Sequence, residues 1–178
     1  MVGALRIETA HAVSASATVT EHDTDVIVVG LGPTGATLAA LLAQHGLRVA
    51  AFDRLPDLYP LPRAIGLDHE ALRIWQGLGL AEALQPHIAP YRPSEYRGMQ
   101  GQLIKRLDMA PPPHRLGWAP NGVFDQPAVE GVLRRHLAAQ PGVHMATSTE
   151  VVALDDRGDG VQATVRGADG REQRWHAR

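Results

Sequence analysis

The sequence has no cysteine, a single lysine and few aromatic residues. Without cysteine there is no disulfide framework, no iron–sulfur cluster, no thiolate zinc site and no cysteine nucleophile. Aromatic side chains make up 4% of the chain, too sparse for a platform on which nucleic-acid bases stack. Neither sign of charge dominates. Lysine and arginine total 17 against 19 acidic residues, and a net charge of −2 exerts no general pull on nucleic acid or anionic membrane. No apolar run is long enough to span a bilayer, and no apolar core ahead of small residues marks a secretory signal. The expectation is a cytoplasmic globular protein whose 178 residues suit one domain. A chain of that size buries on the order of 70% of its unfolded surface, so its core needs no covalent staple. Lys105 is the lone lysine and the other basic residues are arginine, a skew that reflects coding bias. An arginine is therefore not by itself evidence of an anion site.

Residues 1–24 mix Ala, Ser, Thr and Val with Glu8, Glu21 and Asp23 in no sustained period, and read as a disordered leader. Order begins at Asp25-Val26-Ile27-Val28-Val29, where four consecutive β-branched residues suit a strand buried on both faces of a parallel sheet. Gly30-Leu31-Gly32-Pro33-Thr34-Gly35 follows. The Ala- and Leu-rich run after it predicts a helix closed by Gly46 in a left-handed cap. Residues 47–52 form the next apolar strand, ending on Asp53 and completing a βαβ unit. Beyond it the chain makes an excursion punctuated by Pro56, Pro60 and Pro62. A helix is expected over residues 68–78, with Asp68 as cap and Gly79 as stop. Residues 86–122 are rich in proline and glycine, with a strand-like stretch at 102–107 and Pro111-Pro112-Pro113 as an extended connector. A second helix covers 126–140, carrying Val129, Val132, Leu133 and Leu137 on one side. Strands are expected at 143–147 and 150–154, then a hairpin from 161–166 and 172–178.

Glycines cluster in many turns, but Gly30-x-Gly32-x-x-Gly35 sits where a dinucleotide site needs it, after a buried strand and before a helix. Gly30 permits the tight turn, Gly32 lets backbone approach a pyrophosphate, and Gly35 lets helix and strand close on each other. The helix N-terminus then offers unpaired N–H groups and partial positive charge. Pro33 loses nothing at that position, because its missing N–H would have had no intrahelical partner. Asp53 lies 18 residues after Gly35, where a carboxylate can accept both hydrogens of an adenosine ribose diol and repel a 2′-phosphate. The motif alone leaves the dinucleotide open. The proline-rich excursion after Asp53 suits an FAD-type adenosine site better than a quick return to a further NAD-type βαβ unit.

Two further segments carry a resemblance. Pro62-Arg63-Ala64-Ile65-Gly66-Leu67-Asp68-His69-Glu70-Ala71-Leu72-Arg73, and Gly117-Trp118 through Phe124-Asp125-Gln126-Pro127, resemble the FAD-dependent aromatic-ring hydroxylases. These are single-component flavoprotein monooxygenases, and the branch most like this chain is 3-(3-hydroxyphenyl)propionate hydroxylase. The resemblance implies an α/β fold, a Rossmann-like FAD-binding domain over 25–178 with a parallel sheet and an antiparallel hairpin region. It also implies that a substrate-domain insertion starts near 86–122 and that the domain is incomplete. On matching positions it assigns the Gly30–Gly35 turn with Pro33 and Thr34 to the pyrophosphate, Asp53 to the ribose and Arg54 to the adenine neighbourhood. Arg63 would approach the pyrophosphate and the flavin edge, Gln126 would bond the ribityl or phosphate region, and Val151 would meet adenine through its backbone. The chemistry implied is reduction of FAD by NAD(P)H, addition of O2 to give a hydroperoxyflavin, and oxygen transfer to a phenol. No catalytic acid, base or nucleophile is identified, and the 178-residue chain alone is expected to be inactive. A non-catalytic remnant, or the first half of another FAD-dependent oxidoreductase, are the competing expectations.

Gly167-Ala168-Asp169-Gly170 resembles this family's second cofactor motif, but the alternation of Val161, Ala163 and Val165 with polar residues makes it a hairpin turn. The nine histidines show no ligand spacing, so no metal site is expected. The short runs Arg134-Arg135-His136 and Lys105-Arg106 read as solvated faces, and no nucleic-acid or membrane partner is expected.

Overall fold

The computed structural model describes residues 20–178. In chain order the elements begin with β1 (Thr20–Thr24), β2 (Val26–Val29), α1 (Pro33–Gln44), β3 (Val49–Phe52), β4 (Gly66–Asp68), α2 (His69–Gly77) and α3 (Ala81–Leu84). There follow β5 (Ile88–Pro90), β6 (Ser94–Arg97), β7 (Leu103–Leu107), β8 (Asn121–Phe124) and α4 (Gln126–Ala138). The chain closes with β9 (Val143–Ala146), β10 (Glu150–Asp156), β11 (Val161–Arg166) and β12 (Glu172–Ala177).

Strand β3 organises the molecule. It pairs in parallel with β2 on one side and β9 on the other, and all four of its residues are buried. Its side chains alternate between two cores, as the period of a strand requires. Val49 and Ala51 face a core shared with Ala36, Ala39 and Ala40 of α1, Leu72 and Trp75 of α2, and Val129, Leu133 and Leu137 of α4. Ala50 and Phe52 face the opposite way, onto Val165 of β11 and Trp175 of β12. The layers are therefore helices, parallel sheet, antiparallel sheet. Three alanines on the buried side of α1 leave α4 room to come close to it.

The three longer helices carry end signals that the sequence supplies. Asp68 accepts the Ala71 N–H at 2.9 Å to cap α2, and Asp125 accepts the Ala128 N–H at 3.2 Å to cap α4. Gly46, at φ +81°, closes α1, with its N–H on the Ala43 carbonyl and that of Leu47 on Leu42. The β11–β12 hairpin turns at Gly170, φ +77°, so Asp169-Gly170 is a hairpin turn, as its alternating flanks imply.

Three features differ from the sequence reading. Residues 1–19 of the expected leader lie outside the described residues, but Thr20–Thr24 form strand β1, parallel to β12. Their polar sequence shows no period because the strand is held by its backbone ladder, by the Thr24 hydroxyl donating to the Arg48 carbonyl at 2.7 Å, and by His22 stacked on Trp175. Strand β2 is not buried throughout. Val28 is 6% exposed but Val29 is 61% exposed, because β2 is the outer strand of the order β2-β3-β9 and Val29 ends it at the mouth of a cleft. The third difference is a small antiparallel sheet, β4-β8-β5, drawn from three-residue and four-residue segments too short to show periodicity.

Candidate functional site

The chain leaves β2 and enters α1 through a turn that the sequence makes possible at two points. Gly30 sits at φ +96°, and a Cβ on Gly35 would collide with the Gly30 carbonyl oxygen. Gly32 is the N-cap of α1, and no side chain caps it. With Pro33 next, the first-turn N–H groups are left free to face an external acceptor. At this end of the sheet opens a cleft of about 410 Å³, whose lining includes Gly30, Gly32, Asp53, Arg54, Arg63 and Val151.

The structure thus brings six of the expected site residues into one concavity. Thr34 is exposed on the first turn of α1, beside Pro33. Gly35 acts from behind, by allowing helix and strand to touch. Arg63 comes from the proline-rich excursion, and its guanidinium lies 4.0 Å from where a Cβ on Gly32 would stand. It also covers the Tyr59 ring at 5.2 Å from the centroid, a favourable cation–π position.

Gln126, like Pro33, Thr34 and Gly35, is not among the residues that line the cleft. It is 4% exposed; its amide oxygen accepts the N–H groups of Arg63 at 2.6 Å and Ala64 at 2.7 Å, and its amide nitrogen donates to Glu130 at 2.6 Å. Placed this way, Gln126 braces the loop that carries Arg63. Glu130 is itself 2% exposed and stands 3.9 Å from the Arg63 guanidinium.

Arg134 corrects the reading of Arg134-Arg135-His136 as a solvated face. Arg135 is exposed, but the Arg134 side chain is 11% exposed and ion-paired to Asp53 at 3.1 Å within the cleft. The signal was present in the sequence: Gln126, Glu130 and Arg134 recur every fourth residue along α4, a polar stripe beside its buried apolar face. Two basic neighbours obscured it.

The donor set fits a dinucleotide. Free backbone N–H groups and the guanidinium of Arg63 converge where a diphosphate would lie, and Asp53 faces the same cleft from the end of β3. Among the described residues there is no cluster of three metal-ligating side chains. None of their helices is long and apolar enough to cross a membrane.

A family model described as an FAD binding domain matches residues 23–178. The chain belongs to the FAD binding domain family. Similar proteins of known activity agree with that membership. The 3-(3-hydroxy-phenyl)propionate/3-hydroxycinnamic acid hydroxylase of Comamonas testosteroni is 34% identical over 158 residues, 89% of this chain and 26% of that enzyme. The protein of the same description from Mycobacterium avium is 37% identical over 151 residues, 85% of this chain and 26% of its own length. The chain therefore spans about a quarter of the length of the curated relatives it matches. Among solved structures, p-nitrophenol 4-monooxygenase from Pseudomonas putida superposes with a TM-score of 0.74 at 23% identity, covering 89% of this chain and 40% of that one. The flavin-dependent monooxygenase PieE, solved with FAD and substrate, gives 0.74 at 22% identity over 87% of this chain and 29% of its own. The fold is thus the α/β arrangement of flavoprotein hydroxylases, as the resemblance implies.

Proposed function

We propose that this chain is the FAD-binding N-terminal part of an NAD(P)H-dependent flavoprotein monooxygenase that hydroxylates a phenolic aromatic substrate with O2. The observation that carries the FAD assignment is the cleft at the ends of β2 and β3, where the uncapped N-terminus of α1, Arg63 and Asp53 converge. The similarity to hydroxylases of hydroxyphenylpropionate supports the phenolic substrate; the NAD(P)H co-substrate is what the resemblance to flavoprotein monooxygenases implies.

When bound, FAD supplies the redox chemistry that no side chain here provides. The residues divide the holding of it. First-turn N–H groups of α1 and the Arg63 guanidinium neutralise the diphosphate, and Asp53 accepts from the ribose. Arg54 and Val151 line the same cleft, where they would border the adenine. Gln126 and Glu130 hold the Arg63 loop in place from behind.

Mixing the chain with FAD and separating it by gel filtration tests the proposal: flavin absorbance should travel with the protein. A colourless protein peak after incubation in excess FAD would overturn it. For the activity, a longer protein carrying this region should oxidise NAD(P)H faster when a phenol from a substrate panel is added. Oxidation unaffected by every phenol would count against the hydroxylase assignment.

A further inference from the structure

On the reading that this cleft holds the adenosine half of FAD, Asp53 has fewer free acceptor positions than a ribose diol would use. A carboxylate offers about four lone-pair positions. The Leu31 N–H at 2.9 Å and Arg134 Nη2 at 3.1 Å both donate to Oδ2, and the Leu55 N–H donates to Oδ1 at 2.9 Å. One position is left, on Oδ1. We propose that Arg134 is the positioning residue of the adenosine site: it saturates Oδ2 of Asp53 and ties down the glycine turn, so that Oδ1 is presented to a single ribose hydroxyl.

One guanidinium does both tasks. Its Nη2 donates to Asp53, and its Nε donates to the Leu31 carbonyl at 3.1 Å. Leu31 lies between Gly30 and Gly32 and is fully buried, so the arginine reaches from α4 into the centre of the turn. The Leu31 N–H in turn meets the same Asp53 carboxylate, which closes a ring of hydrogen bonds through turn, strand end and helix. The Arg134 and Asp53 side chains are 11% and 12% exposed, so solvent screens the pair little and removing one partner strands the other. Simple charge neutralisation would need only a cation. The ring needs two donors set at a fixed angle, which guanidinium has and ammonium lacks. Arg134 holds the acceptor in place and need not touch the cofactor.

The test is a double-mutant cycle on FAD affinity, read by quenching of flavin fluorescence, with Arg134→Met, Arg134→Lys, Asp53→Ala and the Asp53→Ala/Arg134→Met pair. Thermal unfolding without FAD checks that each variant is folded, and Asp53→Asn replaces Asp53→Ala if the latter is not. Arg134→Met should weaken FAD binding about tenfold, the effect of losing one charge-assisted hydrogen bond. Arg134→Lys should recover less than half of that loss on a logarithmic scale. In the Asp53→Ala background, Arg134→Met should change affinity by less than twofold, because the group it positions is gone. Equal losses in both backgrounds, full affinity in Arg134→Met, or full rescue by lysine would overturn the positioning role. A wild-type chain that binds no FAD overturns the cofactor reading and this inference with it. Wild-type binding with additive variants overturns this inference alone.

Discussion

Gln126 is engaged by the protein's own loop and helix. Its amide is saturated at the oxygen by two backbone N–H groups of the Arg63 loop, and its nitrogen is turned to a buried glutamate. Replacing it by leucine removes all three bonds at once. We expect Gln126→Leu to lower the unfolding free energy by about 1–3 kcal/mol, the cost of buried polar groups left unpaired, measured by urea denaturation without cofactor. FAD affinity should fall as well, since Arg63 loses its brace. Unchanged stability would show that the loop finds water instead. Residue types and spacing pointed to Gly30, Gly32 and Asp53, because each answers a need of a bound diphosphate or ribose, and the resemblance added Arg63. Glu130 and Arg134 answer needs of the protein, and a sequence read for ligand contacts passes over them.

The element that joins the two halves of the fold is β12. Its Trp175 stacks on His22 of β1 at 4.5 Å and on His144 of β9 at 4.6 Å, and meets the edge of Phe52 from β3 at 5.4 Å. This cluster is where the antiparallel sheet docks on the parallel one. Desolvation pushes the His144 imidazole below its ordinary value of 6.5, and the nearby His22 adds to the effect. The folded state therefore resists a proton that the unfolded chain accepts. Stability is fully present above the unfolded value and is lost progressively as pH falls from about 6.5 toward the lower folded value. The melting temperature should drop on acidification through this window. His144→Phe, which keeps a ring in the stack, should flatten that part of the profile. A variant with the wild-type slope would remove His144 as the cause.

Across the whole molecule, the order β2-β3-β9 leaves β2 hydrogen-bonded to one neighbour only. Such an edge is a template for pairing with another chain. Val29 at its end is 61% exposed, and the β6–β7 ribbon adds exposed Tyr96, Leu103 and Ile104. Self-association that grows with protein concentration is the expected behaviour in light scattering. A monomer over the full concentration range would mean that the edge is protected. The ribbon contributes no residue to the cleft, so FAD binding and association through the ribbon should be separable properties, whereas Val29 at the end of β2 lines the cleft itself.

The sequence by itself determined the βαβ unit, both long helices, the Gly46 and Asp68 caps, the hairpin and the glycine turn, since each rests on short-range rules of periodicity, capping and backbone freedom. It also placed Asp53 and Arg63, through spacing from the turn and through resemblance. Only the tertiary structure decided that Thr20–Thr24 form a strand, that Gln126 faces inward, and that Arg134 is drawn into the cleft while Arg135 stays in solvent. These outcomes depend on partners 63, 81 and 103 residues away in the chain, and on a ladder between the first and last described strands. No local pattern encodes a polar side chain's partner at such distance. It is fixed when burial of the α1–α4 core brings the turn, the end of β3 and the polar stripe of α4 together.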